Sequence, residues 1–467
     1  MLKIGGQKVP TSLLVLIATD CVLITIGLLL ATVVRFYGRD YGPVVFYLAS
    51  WRTFFRFLLV ILICEVSLYF NDVYDFRLTS TRSEILIRML QAFGVACLSL
   101  SVCYFIDPDI GVGRGIAALA APIVVGLTLG RRLLWAQQGP LTGSAERILI
   151  MGTAPTGISL ARDILARPEL RLKVVGFLDE RGENIGKSLV NPGIIGATAD
   201  VETIVEQEKI DHVVISLTER RGRMPVRQLL HVKFAGVCVE DAHSFYERMT
   251  GRIVLERLSP SWLILSDGFR KSALLTWVKH LGDVCVSLLA LIVCLPLLSL
   301  VAFAIWIESG SPILFRQERT GLRGRTFQML KFRSMYNNAE QKGPQWAAAA
   351  DHRITYVGRW IRKFRIDELP QFLNVLRGEM SIVGPRPERP HFVAMLEEEI
   401  PFYGLRHSVR PGITGWAQVK YRYGASVEET KTKLEHDLFY IKHLSFILDL
   451  VVLFETAKVM LSGRGAK

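Results

Sequence analysis

Arg147-Ile148-Leu149-Ile150-Met151-Gly152 decides how this chain is read. Five residues, four of them apolar and two β-branched, run straight into a glycine, the pattern of a strand buried on both faces of a parallel sheet. Helical periodicity follows through Leu160 to Leu165, and further strands are expected at 174–178, 212–216 and 237–239, with a helix at 228–234. Strands alternating with helices over residues 145–265 make a Rossmann-like α/β domain. Its turn, Gly152-Thr153-Ala154-Pro155-Thr156-Gly157, is a poor phosphate loop. Ala154 stands where the second glycine of the fingerprint belongs, and Pro155 removes a backbone donor. A scaffold role is expected for this domain rather than dinucleotide binding.

N-terminal to that strand the pattern is different. Apolar segments cover about 11–34, 51–70, 85–106 and 115–135, each near the roughly 20 residues a helix needs to cross a bilayer. They predict a four-helix transmembrane bundle within residues 1–140. Asp20 and Glu65 interrupt two of these segments and are expected to face inward, toward partners on other helices. The first segment is too long for a signal-peptide core and is kept as an anchor. Four crossings with both ends cytoplasmic is the expected arrangement; Lys3, Lys8, Arg131 and Arg132 at the outer ends favour it. Arg77, Arg82 and Arg88 sit at the second loop, and Arg35, Arg39, Arg52 and Arg56 at the first run counter to it.

Composition agrees with a membrane protein that handles anions. Of 467 residues 50% are hydrophobic, in blocks, and the net charge of +13 gathers after residue 310 and beside the apolar segments. Lipid headgroups and phosphorylated small molecules fit that charge; no interleaved aromatic and basic array points to nucleic acid. The seven cysteines lie in apolar runs or, for Cys238, in a strand, without zinc-ligand spacing or a disulfide framework.

C-terminal to the α/β domain a fifth apolar stretch, about 281–307, carries Pro296 near its middle. A mid-helix proline removes an intrahelical hydrogen bond and favours a kink. A re-entrant membrane helix over 274–307, broken at Pro296, would return Lys279, His280 and Arg316 to one side of the bilayer; spanning is the other topology. Residues 308–467 form a basic domain, expected to be small and mainly α. Its centre is Arg365-Ile366-Asp367-Glu368-Leu369-Pro370-Gln371, two carboxylates amid Arg359, Arg362, Lys363 and Arg365. An acidic pair among that many cations suits attack on a phosphorylated substrate, or holding a metal against one. The bland alternative is a helix start, with Asp367 as N-cap and Pro370 in the first turn. Glu397, Glu398 and Glu399 read as a solvated helix face, and His436 as a surface or hydrogen-bonding histidine rather than a metal ligand.

The motifs Phe315-Arg316-Gln317-Glu318-Arg319-Thr320-Gly321, Lys331-Phe332-Arg333-Ser334-Met335, Asp367-Glu368-Leu369-Pro370-Gln371, Gly384-Pro385-Arg386-Pro387 and Arg410-Pro411-Gly412-Ile413-Thr414-Gly415-Trp416-Ala417-Gln418 stand in that order. In kind and order they resemble the bacterial sugar transferase family, the polyprenyl-phosphate hexose-1-phosphate transferases. With the bundle and the α/β domain, the chain looks like the long, exopolysaccharide-priming form. The ending Val419-Lys420-Tyr421-Arg422-Tyr423-Gly424 looks like a subgroup tied to exosortase-associated polysaccharide loci. Leu295-Pro296 stands where short members usually carry Ser-Pro.

The resemblance implies transfer of a sugar 1-phosphate from a UDP-sugar to undecaprenyl phosphate with release of UMP, on the cytoplasmic face of the bacterial inner membrane. Asp367 matches the family's nucleophile, which forms an aspartyl-phosphosugar, and Glu368 matches the residue that, with Asp367, holds Mg²⁺. Lys331, Arg333, Arg386 and Arg410 are the cations expected to neutralise phosphates, with Gly412, Gly415 and Gln418 close to substrate. The expected partners are the two substrates and the lipid bilayer, with a homo-oligomer through the bundle and the α/β domain. A membrane-bound nucleotide-sugar epimerase or dehydratase would need a Tyr-x-x-x-Lys couple, and no tyrosine here has a lysine four positions on. A non-catalytic scaffold of a polysaccharide assembly complex is the remaining alternative.

Overall fold

The computed structural model describes residues 2–4, 7–9, 11–36, 47–74, 82–137, 145–167, 172–217, 224–255, 263, 266, 268–336, 353–421 and 426–461. Of the positions named above, Arg39, Arg77 and Arg422, Tyr423 and Gly424 lie outside them. The chain divides into two compact units at Val239 and Glu240, with residues 3–8 counted in the second. Short strands β1 (Leu2–Ile4) and β2 (Gln7–Val9) pair with each other ahead of the first long helix.

In the first unit, helices Thr11–Arg35, Trp51–Phe70, Arg82–Ile106 and Arg114–Gln137 coincide with the four apolar segments. Each is long and apolar enough to cross a membrane. In lipid a helix is one of the few ways to satisfy every backbone group internally. Buried residues recur every three or four positions, as in Ile24, Leu28 and Ala31 or Ile116, Ala120 and Val124, and the four stripes share one apolar cluster. Asp20 is fully buried among them. It accepts from Arg131 at 3.1 Å and Arg132 at 2.5 Å, and Tyr74 donates to both Asp20 (3.1 Å) and Glu65 (2.6 Å). Both intramembrane carboxylates therefore face inward to partners on other segments.

The α/β part is a five-stranded sheet in the order β5-β4-β3-β6-β7. Its strands are β3 (Glu146–Met151), β4 (Leu172–Asp179), β5 (Ile194–Ala197), β6 (His212–Ile215) and β7 (Cys238–Asp241). The opening strand is central, pairing in parallel with β4 and β6, and Ile148 to Met151 are wholly buried. Helix Pro155–Leu165 starts on the proline, whose fixed φ and missing N–H suit a first helical position. Strand β5 and helix Val201–Gln207 are additions to the sequence reading.

The second unit contains the fifth apolar helix, Ala273–Ser309, 37 residues long with Pro296 inside it. At 1.5 Å per residue this is about 55 Å, well beyond a bilayer's hydrocarbon thickness of about 30 Å. Helical conformation continues across Pro296, and Ser299 Oγ donates to Leu295 O at 2.9 Å beside it. Leu289, Ile292, Val293 and Leu300 are exposed along it, as a lipid-facing surface requires. An antiparallel hairpin follows, β8 (Leu314–Thr320) with β9 (Thr326–Phe332), and then helices Tyr356–Lys363, Gln371–Leu376 and Pro390–Glu399. Strand β10 (Ser381–Val383) pairs in parallel with β11 (Gly412–Thr414), and helices Val427–Lys442 and Phe446–Leu461 complete the domain. Its core is built on Met329, Val375, Met380, Trp416, Leu438 and Phe439. The architecture is membrane α plus α/β with a mainly helical C-terminal domain.

Candidate active site

Asp367 and Glu368 lie in a single 3₁₀ turn, Ile366–Glu368. Arg365 just before it has φ 54° and ψ 23°, a left-handed conformation costing a non-glycine residue roughly 1–2 kcal/mol. Such local strain concentrates at functional sites. The alternative role of Asp367, as an N-cap, does not form: Pro370 takes that position, and the helix begins only at Gln371. The turn thus points two carboxylates into the domain, and each residue is only 9% exposed.

Their surroundings differ sharply. Glu368 Oε1 accepts from Lys331 Nζ and from Arg386 Nη2, each at 2.9 Å, and Arg365 Nη1 stands 3.6 Å from Oε2. Burial opposes its ionisation, but Arg386, Lys331 and Arg365 outweigh that and hold its carboxyl far below the usual range. Asp367 accepts no hydrogen bond among the described residues. Burial and the neighbouring Glu368 charge push its carboxyl up, against the pull of Lys331, Arg362 and Arg386. Two adjacent acids driven apart in this way take different roles.

The cations arrive from separate elements. Lys331 sits on β9, held opposite the turn by Asn374, a fully buried side chain of helix Gln371–Leu376. Asn374 Oδ1 accepts from Leu330 N at 3.0 Å and its Nδ2 donates to Gln328 O at 2.8 Å, so a side chain replaces a strand partner. Arg386 follows β10, and its Nη1 donates to Gln418 Oε1 at 3.1 Å. That bond fixes the orientation of the Gln418 amide. Gly412 and Gly415 have a packing role. A Cβ on either would collide with the Gly384 backbone, so their bareness lets β11 and the following turn lie against the Arg386 turn.

Among the residues expected at the site, then, Asp367, Glu368, Lys331, Arg386 and Gln418 come together. Arg333 stands elsewhere: its Nη2 donates to Ser309 O at 2.7 Å and Gly310 O at 2.6 Å, capping the last turn of the long helix, where a cation meets the negative end of the dipole. Arg410 Nε donates to Gly378 O at 3.0 Å, beside His280. Glu397, Glu398 and Glu399 are exposed as expected. His436 is buried, not superficial, with Nδ1 against Thr432 O at 2.8 Å. Arg362 and Arg365, expected beside the acidic pair, act on it as cations, and Asn374, Arg319 and Arg406 complete the surroundings. Asn374 carries a signal of its own, an amide between Leu373 and Val375 in a short helix.

Side-by-side carboxylates offer the oxygen donors a hard divalent cation takes, and Asp367 keeps both oxygens clear of hydrogen bonds among the described residues. The pair therefore fits Mg²⁺.

The model of the bacterial sugar transferase family matches residues 274–463, and that of a CoA-binding domain matches residues 69–231. The UDP-glucose:undecaprenyl-phosphate glucose-1-phosphate transferase of Klebsiella pneumoniae is 32% identical over 318 residues, 67% of each chain. The chain belongs to the bacterial sugar transferase family. Other relatives are the UDP-N-acetylgalactosamine-undecaprenyl-phosphate N-acetylgalactosaminephosphotransferase of Aeromonas hydrophila, 43% identical over 241 residues (52% of this chain, 56% of that protein), and the undecaprenyl-phosphate glucose phosphotransferase of Komagataeibacter xylinus, 33% identical over 341 residues (69% and 60%). The chain spans less than two thirds of the length of these last two.

The turn after β3 fits poorly the cofactor that the description of the family matching this region implies. Gly152 N donates to Leu178 O, Ala154 N to Ser216 O and Gly157 N to Ala154 O, while Pro155 has no N–H. Three backbone donors of the turn are occupied and one is missing, which leaves Thr153 and Thr156 to face a pyrophosphate. Asp179, at the end of β4, already accepts from Glu183 N (3.1 Å) and Asn184 Nδ2 (3.3 Å).

Proposed function

We propose that this chain transfers a sugar 1-phosphate from a UDP-sugar to undecaprenyl phosphate, releasing UMP and leaving a polyprenyl-diphosphate-sugar, as the first step of a surface glycan. The observation that carries the reading is the contrast between Asp367, buried and free of hydrogen bonds among the described residues, and Glu368, clamped by Lys331 and Arg386. An Asp367 carboxylate oxygen bonds to the β-phosphorus, and the bond from that phosphorus to the oxygen bridging it to the α-phosphorus breaks. UMP departs with the electron pair. A phosphate oxygen of undecaprenyl phosphate then attacks the aspartyl-phosphosugar, breaking its Asp–phosphorus bond and restoring the carboxylate. Two anionic substrates thus never need to react directly.

Lys331 and Arg386 neutralise charge that develops on the transferred phosphoryl oxygens. Glu368 keeps both cations aimed at the turn, and Gln418 steadies Arg386 from the far side. Mg²⁺ held by Asp367 and Glu368 would supply further positive charge at the diphosphate. Arg410, and Arg333 through the end of the long helix, act at a greater remove. The relatives' names speak of both glucose and N-acetylgalactosamine, so a panel of UDP-sugars decides the sugar.

The same reading makes the four N-terminal helices a membrane bundle. The long helix, kinked at Pro296 rather than interrupted there, re-enters and holds the catalytic domain on the cytoplasmic face of the inner membrane, and the bundle and α/β domain serve self-association. The test uses membranes carrying the full chain, a labelled UDP-sugar and undecaprenyl phosphate. Asp367→Asn is expected to lower UMP release by about 10³-fold or more and to abolish a sugar-phosphate adduct seen by mass spectrometry. Unchanged turnover in that variant, or no adduct on Asp367 in the unsubstituted chain, would sink the mechanism.

A further inference from the structure

Four consecutive carbonyls in the turn at residues 385–388 each accept a hydrogen bond from a different source. Pro385 O takes Gly412 N, Arg386 O takes Arg406 Nη2, Pro387 O takes Arg319 Nη1 and Glu388 O takes Thr320 N, all at 2.9 Å. Buried carbonyls need partners, and here two of the four are supplied by arginine side chains. The residue at the centre is Arg386, whose side chain spans Glu368 and Gln418.

Arg406 is the unusual member. It is 7% exposed, and the same Nη2 that holds the Arg386 carbonyl also donates to Asp437 Oδ2 at 2.9 Å. Its Nη1 donates to Tyr403 OH at 2.5 Å. Asp437 is 2% exposed, on helix Val427–Lys442. A buried ion pair of this kind is a poor source of stability, because desolvating both charges offsets most of their attraction. Its value lies in geometry. A planar guanidinium can join a carbonyl and a carboxylate in one fixed plane, which an apolar filler cannot.

We propose that Arg406, held by Asp437, is a positioning residue for Arg386. It fixes the Arg386 backbone, so that the Arg386 guanidinium is already aimed when the diphosphate of the donor arrives. This rests on the functional reading above, in which Arg386 neutralises phosphoryl oxygens. Pre-aiming lowers the ordering cost that would otherwise be charged to the bound complex.

A double-mutant cycle on the full chain in membranes tests it, with UMP release read as kcat/KM for the UDP-sugar. Arg406→Lys keeps the charge and removes the fork; it is expected to lower kcat/KM about 10–100-fold while the thermal unfolding midpoint shifts little. Arg386→Lys is expected to cost at least as much. Combining them should give no more loss than Arg386→Lys alone, because the positioning has nothing left to position. Losses that multiply, or a fully active Arg406→Lys, overturn the proposal. Should Arg406→Lys fail to fold, Asp437→Asn enters the same cycle with the same expectations. No UMP release by the unsubstituted chain sinks the functional reading instead, so the two failures are told apart.

Discussion

Asp367 and Glu368 are neighbours with equal burial and opposite protonation tendencies. One is pushed up by burial and by its neighbour's charge; the other is held down by three cations that outweigh its burial. The difference comes from the turn, which presents Glu368 to Lys331 and Arg386 and leaves Asp367 without a hydrogen bond among the described residues. A carboxylate that is not already solvated by donors is the better attacking group, provided the cations that stabilise charge stand one residue away.

Glu368→Gln removes the anion between Lys331 and Arg386 and leaves two cations crowded in a poorly hydrated place. Breaking such a cluster costs roughly 3–5 kcal/mol, and turnover should fall more than about 100-fold. Thermal unfolding in detergent and UMP release measure the two effects. A variant with unaltered stability and turnover would contradict the clamp.

Acid should destabilise the catalytic domain through its histidines. Burial, joined by Arg406, lowers His407 to about 4, and burial lowers His436 to about 4 as well. A group whose folded value is depressed contributes stability above its unfolded value, near 6.5, and loses it as pH falls toward the folded value. Unfolding midpoints should therefore drop between about pH 6.5 and pH 4. His436→Gln should flatten that slope, and an unchanged slope in both His436→Gln and His407→Gln would refute the assignment.

Asn374→Leu should destabilise by about 1–3 kcal/mol, because Leu330 N and Gln328 O lose their side-chain partners in a buried setting. Lys331 adjoins Leu330 on that strand, so kcat should fall alongside. Chemical denaturation and single-turnover adduct formation report the two separately. A loss of activity with no loss of stability would assign Asn374 to substrate instead.

The ends of the long helix give a direct test of topology. In a cysteine-free background, Ser272→Cys and Ser309→Cys mark its two flanks. A helix that turns back at Pro296 labels both from the cytoplasmic side with an impermeant maleimide. Labelling from opposite sides establishes a spanning helix. Pro296→Ala, which restores an N–H donor, should then shift the pattern toward spanning.

Much of this was legible in the residues. The membrane helices declare themselves because lipid tolerates little besides long apolar runs, and β3 declares itself because a doubly buried strand is nearly all β-branched or leucine. Strand β5 was not seen, since Ile194-Ile195-Gly196-Ala197 is short and carries a glycine. The acid pair was read correctly as a cluster with cations, yet which cations was only partly accessible. Lys331 and Arg386 reach Glu368 from 37 and 18 residues away, whereas Arg333, two residues from Lys331, caps a helix. Residues two apart share a face only while the strand lasts, and β9 ends at Phe332, so the path of the chain beyond it decides where Arg333 goes. Nothing in the sequence pairs Arg406 with Asp437, which stand 31 residues apart, one in a 3₁₀ turn and the other in a helix.

The junction between membrane helix and catalytic domain has little slack. Arg333 grips the carbonyls of Ser309 and Gly310, and both carboxylate oxygens of Glu308 receive the first amides of helix Tyr356–Lys363. Such a joint behaves as a lever arm rather than a tether. A change in bilayer thickness or lateral pressure that tilts the helix would be transmitted to the height and pitch of the reaction centre, making the lipid matrix itself a variable of the rate.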